Sequence, residues 1–260
     1  MQSSQSTHGS SGKSALEQCN AYIHWQIKDK KDHSSADTAR QSGPAVTISY
    51  QTGACAHEIA VLLAKRLQAA DLKGDVPWTV FDHHLVEAVL DEHHLPQSLA
   101  KHMPEERRSY IQDVIEELAG IRPPSWVTVP QVAETVLHLA DSGHVILVGR
   151  GASVITGRMA RVFHVKLISP LPVRIARVRE TNHLTSEEAA KLIAQSDRGR
   201  GRYAKDHFHV SIEDDLLYHL VINTDRIPIP DAVELIACGA RRCFNPNSEV
   251  GSKRVSKKPQ

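Results

Sequence analysis

After Pro44 the chain alternates short, mostly apolar runs with amphipathic ones, and that alternation limits the fold more than any other feature. Five runs read as strands, at residues 45–49, 78–81, 144–149, 162–168 and 220–223. Helical patterns separate them. Over residues 58–70, Ile59, Leu62, Leu63 and Leu67 recur at the three- and four-residue steps that build one helix face. Ile111, Val114, Ile115 and Leu118 do the same over residues 105–119. Thr185 followed by Glu188 has the spacing of a capping box and opens a further helical run leading towards Tyr203. Strands this apolar need cover on both sides, so the expected fold class is α/β, a five-stranded parallel sheet with helices on both faces. Ligands of such sheets bind beyond the carboxyl ends of the strands. Those ends fall at Ser49, at Phe81 and Asp82, at Gly149 and Arg150, at Ser169, and at Asn223 and Thr224.

The same pattern sets the expected organisation. Residues 1–43, Ser/Gly/Gln-rich and then polar, read as a mobile appendage and linker; residues 44–240 read as the folded domain, and 241–260 as a basic disordered tail. The tail carries Arg241, Arg242, Lys253, Arg254, Lys257 and Lys258 against Glu249, a charge of +5, which leaves −4 on the rest of a chain whose total is +1. A weakly acidic body is poorly matched to a nucleic-acid backbone, so nucleic acid is not an expected partner. No apolar run approaches the roughly 20 residues that span a bilayer, and the opening MQSSQSTHGSSGKS has neither the basic start nor the apolar stretch of a secretory signal. The expectation is a cytoplasmic protein with no membrane segment. Cys19, Cys55, Cys238 and Cys243 form no CxxC pair and read as bystander thiols of a reducing compartment. The neighbouring pairs His83-His84 and His93-His94 point about 100° apart on a helix and cannot face one ion, so no metal site is expected.

Several stretches can carry chemistry. The first strand runs into YQTGACAHEIA and then a helix, the position and length of a phosphate-cradling loop. The pattern G-x-x-x-x-G-K-[ST] falls on Tyr50, Cys55, Ala56 and His57 and matches at none of its four defining places. What remains is Gly53, the small residues Ala54, Cys55 and Ala56, and a helix N-terminus whose free N–H groups favour an anion; an ordinary βα turn accounts for the same residues. The third strand ends in Gly149-Arg150-Gly151, where Arg150 either forks onto a phosphate or pairs with a helix carboxylate. The stretch SDRGRGRYAKDHF holds Arg198, Arg200, Arg202 and Lys205 around Gly199 and Gly201. It is either a solvated helix face or a basic segment, loosened by its glycines, that closes over phosphates. Arg174, Arg177 and Arg179 have Glu180, Glu187 and Glu188 as available partners. Asp82 either contacts a ligand or caps the following helix.

Taken together, VTISYQTGACAHEIA, WTVFDHHLVEAVL, VILVGRGASVI, FHVKLISPLPVRIARV, DRGRGRYAKDHF and LLYHLVINTD resemble, in order and spacing, the cytidylate kinase-like family, a branch of the P-loop nucleoside monophosphate kinases. The resemblance spans about residues 45–237. It implies a five-stranded parallel sheet, a phosphate loop, an acceptor-binding region and an Arg-rich lid, with ATP and Mg²⁺ as cofactors and a small-molecule nucleotide as ligand. Gln51, Thr52, Gly53, Ala54, Cys55, Ala56 and His57 would hold the donor phosphates, and Asn223 and Thr224 would lie near the donor base. Arg150 would grip the acceptor phosphate, with Asp82 on the acceptor side; Asp197, Arg198, Arg200 and Tyr203 match the lid, and Arg198, Arg200 and Arg202 would neutralise the transferring group when it closes. Gly151 replaces the Asp of the family's GRD motif, and Tyr50 and Cys55 stand where related loops have Arg and Gly. The implied activity is phosphoryl transfer from ATP to a nucleoside monophosphate; the rival is a binding module of the same fold without catalysis. Residues 105–130, with Pro123 to Trp126, would shape the acceptor pocket or a dimer surface.

Overall fold

The computed structural model describes residues 44–71, 76–82, 129–149 and 151–245. The appendage over 1–43, the helical pattern over 105–119, both His pairs, residues 123–126, Arg150 and the chain beyond Asn245 lie outside the described residues. Five strands form one parallel sheet: β1 (Ala45–Tyr50), β2 (Thr79–Phe81), β3 (Val145–Val148), β4 (Val162–Ile168) and β5 (Leu220–Asn223), in spatial order β2-β3-β1-β4-β5. The helices are α1 (Ala56–Ala70), α2 (Val129–Ser142), α3 (Ala152–Ile155), α4 (Leu171–Asn182), α5 (Ser186–Phe208) and α6 (Ile229–Phe244). β3 is shorter than its apolar run because His144 and Gly149 at its ends take positive φ, 57° and 81°, which no strand accommodates. Among the described residues no helix is long and apolar enough to cross a membrane.

The two-residue alternation of the strands decides which helix packs where. Val46 and Ile48 of β1 and Val165 and Leu167 of β4 face Ile59 and Leu63 of α1 and Ile236 and Ala240 of α6, in one buried cluster. Truncating Leu63, which is fully buried, to Ala would cost about 2–5 kcal/mol. The other face is more polar. There Thr47 is in register with His164 and bonded to its Nδ1 at 2.8 Å, and Ser49 is in register with Lys166.

The last helix runs past the expected domain end at 240. Its apolar stripe continues from Ile236 through Ala240 to Phe244, which is buried and stacks on Trp78 at 6.0 Å. Arg241 and Arg242 therefore sit in the last helical turn rather than in a tail, where basic side chains complement the helix dipole.

Candidate functional site

β1 delivers the chain to the phosphate-loop position at the carboxyl edge of the sheet, and α1 leaves from it. Gly53 has φ +86°, and a Cβ there would lie 2.9 Å from the carbonyl oxygen of Arg174, so neither the backbone angle nor the space admits a side chain. Cys55 precedes α1 with φ 59°, a left-handed conformation that costs a non-glycine residue about 1 kcal/mol. The loop thus adopts glycine-demanding angles at two places although only one holds glycine. The first N–H groups of α1 have no partner within the helix and form the positive end of its dipole, a setting that favours an anion. Burial pushes the Cys55 thiol up, against a smaller opposing effect of Arg177, so it stays a neutral thiol. Ala56 is buried and His57 exposed.

Side chains from β4 and α4 staple the loop in place. Gln51 accepts a hydrogen bond at Oε1 from the Ser169 N–H at 3.1 Å, and its own N–H donates to the Leu167 carbonyl. Arg174, buried, donates to the Ser169 and Thr52 carbonyls. Arg177 donates to the Gly53 carbonyl at 3.3 Å and to both the hydroxyl and carbonyl oxygen of buried Thr224, at 3.0 and 2.8 Å. Neither arginine uses the glutamates that the sequence made available. Their spacing of three places them on one face of α4, directly beyond the end of β4, and that offset is the signal by which the sequence identifies them. Asn223 accepts from the Asp225 N–H and shapes the turn after β5.

The lid stretch forms the second half of the site. The Thr185 capping box is complete, with the Glu188 N–H donating to the Thr185 hydroxyl and Glu188 accepting the Thr185 N–H at 2.8 Å. α5 then runs 23 residues, unbroken through Gly199 and Gly201, so the glycines do not interrupt the helix. Its Asp197 reaches the loop and accepts from the Thr52 N–H at 2.9 Å, the Thr52 hydroxyl at 2.8 Å and Arg174 at 2.7 Å. Arg200 completes the cluster through Asp197 and Thr52 and lies over the Tyr50 ring, 4.5 Å from its centroid. Burial pulls the Asp197 carboxyl up, but Thr52, Arg174 and Arg200 together outweigh it and hold the group below the usual carboxylate value. Tyr50, which breaks the expected pattern, is the platform that orients Arg200.

A helix turns about 100° per residue, so Arg198 and Arg202 share a face opposite Arg200, and both are exposed. Of the three expected lid arginines, Arg200 alone faces the site. Gly151, with φ +68°, meets the lid at its far end: a Cβ there would lie 2.5 Å from the Phe208 ring. The Asp of the family's GRD motif would take a strained left-handed backbone here and would displace the Phe208 ring. Between loop, lid and strand ends lies a cavity of about 390 Å³, lined from the expected set by Gln51, Asp197, Arg200 and Tyr203. Asp82 follows edge strand β2 and does not line it.

The cavity floor holds groups that motif reading missed. Lys166, buried on β4, points its ammonium at Glu213, 3.0 Å away, and Asp215, 3.5 Å away, and lies 5.5 Å from the Tyr218 ring centroid. The Ser49 and Ser153 hydroxyls are 3.2 Å apart, and the Tyr218 hydroxyl donates to the Ile212 carbonyl. Burial pushes Tyr218 up, so it stays protonated. A lysine two places after His164 on the same face of a mostly apolar strand was the available signal for this floor.

The sequence and the fold have counterparts. The family model described as the cytidylate kinase-like family matches residues 45–226. A cytidylate kinase of Pyrococcus horikoshii is 30% identical over 48% of this chain and 63% of its own length. A uronate isomerase of Corynebacterium glutamicum is 31% identical over 41% of this chain and 20% of its own length. The chain thus spans less than two thirds of either curated relative. An uncharacterized protein from Eubacterium ventriosum has a crystal structure of TM-score 0.52 and 15% identity, covering 76% of this chain and 98% of that one, a likeness of fold. Loop, lid and sheet lie within the segment that the family model matches, and the chain belongs to the cytidylate kinase-like family.

Proposed function

We propose that the protein transfers a phosphoryl group from ATP to a small phosphate-bearing acceptor, a nucleoside monophosphate. The observation that carries this reading is the Asp197 carboxylate on the Thr52 N–H and hydroxyl, with Arg174 and Arg200 around it. An anion is held there by main-chain and guanidinium donors at the mouth of a loop that leads into a 15-residue helix, and phosphate oxygens suit the same donors. The residues present therefore fit a triphosphate tail. They do not offer a protein-held metal: among the described residues no group of His, Cys, Asp and Glu is arranged to hold one, and His57 stands where the loop hydroxyl would be.

When bound, ATP supplies the phosphoryl group, and transfer is chiefly positioning and charge neutralisation. In this chain the loop and the N-terminus of α1 hold the donor through N–H groups. Arg200 faces the cavity from α5 and neutralises charge on the transferring group, while Arg150 clamps the acceptor phosphate. Arg198 and Arg202 reach that group only if α5 turns. The acceptor phosphate is already ionised, so no general base is needed.

The test is ADP formation with ATP and Mg²⁺ against a panel of nucleoside monophosphates, with Arg150→Ala as control. Turnover that needs one acceptor and Arg150 supports the kinase; turnover unchanged by the substitution removes Arg150 from its role. Ala56 and His57, in the places of the loop Lys and hydroxyl, favour the second reading, a nucleotide-binding module without catalysis. No turnover with any acceptor, and none gained by combining Cys55→Gly with Ala56→Lys, would favour that reading.

A further inference from the structure

Resting on that reading, we infer that Lys166 is an anion-binding residue of the cavity, which takes the phosphate of the acceptor in competition with Glu213 and Asp215. The register of the sheet places it. Ser49 pairs with Lys166, and Ser49 is two residues before Gln51, so the lysine rises from the strand directly beside the entry to the loop. Its side chain lines the same cavity as Tyr50, Gln51 and Arg200. The loop itself lacks a lysine, having Ala56 at that position.

Its pairing does not account for its presence as a purely structural bridge. Lys166 is 7% exposed, whereas Glu213 and Asp215 are 65% and 73% exposed, so the ammonium bears the desolvation cost and its partners return little through water. An apolar residue of equal length would suit the strand better. Exposed carboxylates beside a buried ammonium at a cavity wall are instead displaceable: an incoming phosphate exchanges one set of oxygens for another and gains Arg200 and the Ser49 hydroxyl as neighbours.

The experiment is titration calorimetry of AMP, CMP, GMP and UMP into the wild type, Lys166→Met, and the double variant Glu213→Gln/Asp215→Asn, each at two salt concentrations. The expected result is binding at least tenfold weaker in Lys166→Met with a shallower salt dependence, and several-fold tighter in the double variant, where the lysine has lost its competitors. A structural bridge predicts the reverse for the double variant: a lower melting temperature and no gain in affinity. Wild-type binding that Lys166→Met leaves unchanged overturns this inference alone, and so does a double variant that binds more weakly. Failure of the wild type to bind any of the four overturns the nucleotide reading with it. The double variant retains the buried lysine, so it decides the question even if Lys166→Met does not fold.

Discussion

Replacing Asp197 by Asn should detach the lid from the loop. The carboxylate takes hydrogen bonds from the Thr52 N–H, the Thr52 hydroxyl and Arg174, at 2.9, 2.8 and 2.7 Å, and a further one from Arg200. Asn has one acceptor oxygen, and its NH₂ would face guanidinium groups. Hydrogen bonds to charged groups contribute about 1.5–3 kcal/mol each. Arg174 keeps its bonds to the Ser169 and Thr52 carbonyls, and the Asp197 side chain is 29% exposed, so solvent screening reduces the loss. The expected destabilisation is about 2–3 kcal/mol at neutral pH, read as a lower urea midpoint at unchanged slope. A second signature follows from the depressed carboxyl. Its contribution is complete above the ordinary value of 3.8 and is lost as the pH falls through the lower folded value, so the gap between wild type and variant should close in acid. A neutral-pH difference below about 0.5 kcal/mol, the size of an ordinary surface change, or a gap that widens in acid would refute the argument.

Further outcomes follow from the same geometry. Gly53→Ala combines a left-handed φ with a 2.9 Å approach to backbone and should cost about 2–4 kcal/mol, whereas Cys55→Gly removes strain at φ 59° and should stay within about 1 kcal/mol of wild type or exceed it; denaturant unfolding of both checks the loop conformation. Burial, with His219 stacked beside it, pushes His164 down to about 4, so it is neutral in the folded protein while the unfolded chain titrates near 6.5. Stability should be complete above 6.5, fall by about 3 kcal/mol as the pH drops towards 4, and level off below, with His164→Gln flattening that slope in a pH series of melts. Thr185→Ala removes the cap of α5 and should cost about 1 kcal/mol by the same assay; no change would mean that lid packing alone sets the helix start.

The features legible in the amino-acid sequence are local. Its alternation placed all five strands, with ends shifted by one residue at most, and the Thr185-Glu188 spacing placed the start of α5, because periodicity and caps act over a few residues. Apolarity of the runs further implied parallel pairing under two helical layers. Strand order, and with it the neighbours of the loop, follows from long-range packing: β1 lies between β3 and β4, so residues from α4 and α5 meet Thr52 across more than 120 positions of chain. Charge in a stretch does not specify facing. The helix phase turned Arg200 inward and Arg198 and Arg202 outward, and it was packing on the loop that fixed the phase. Lys166 is the same case in a strand, since its neighbours come from β1 (Ser49) and from the connection between α5 and β5 (Glu213 and Tyr218), and no local pattern carries long-range register.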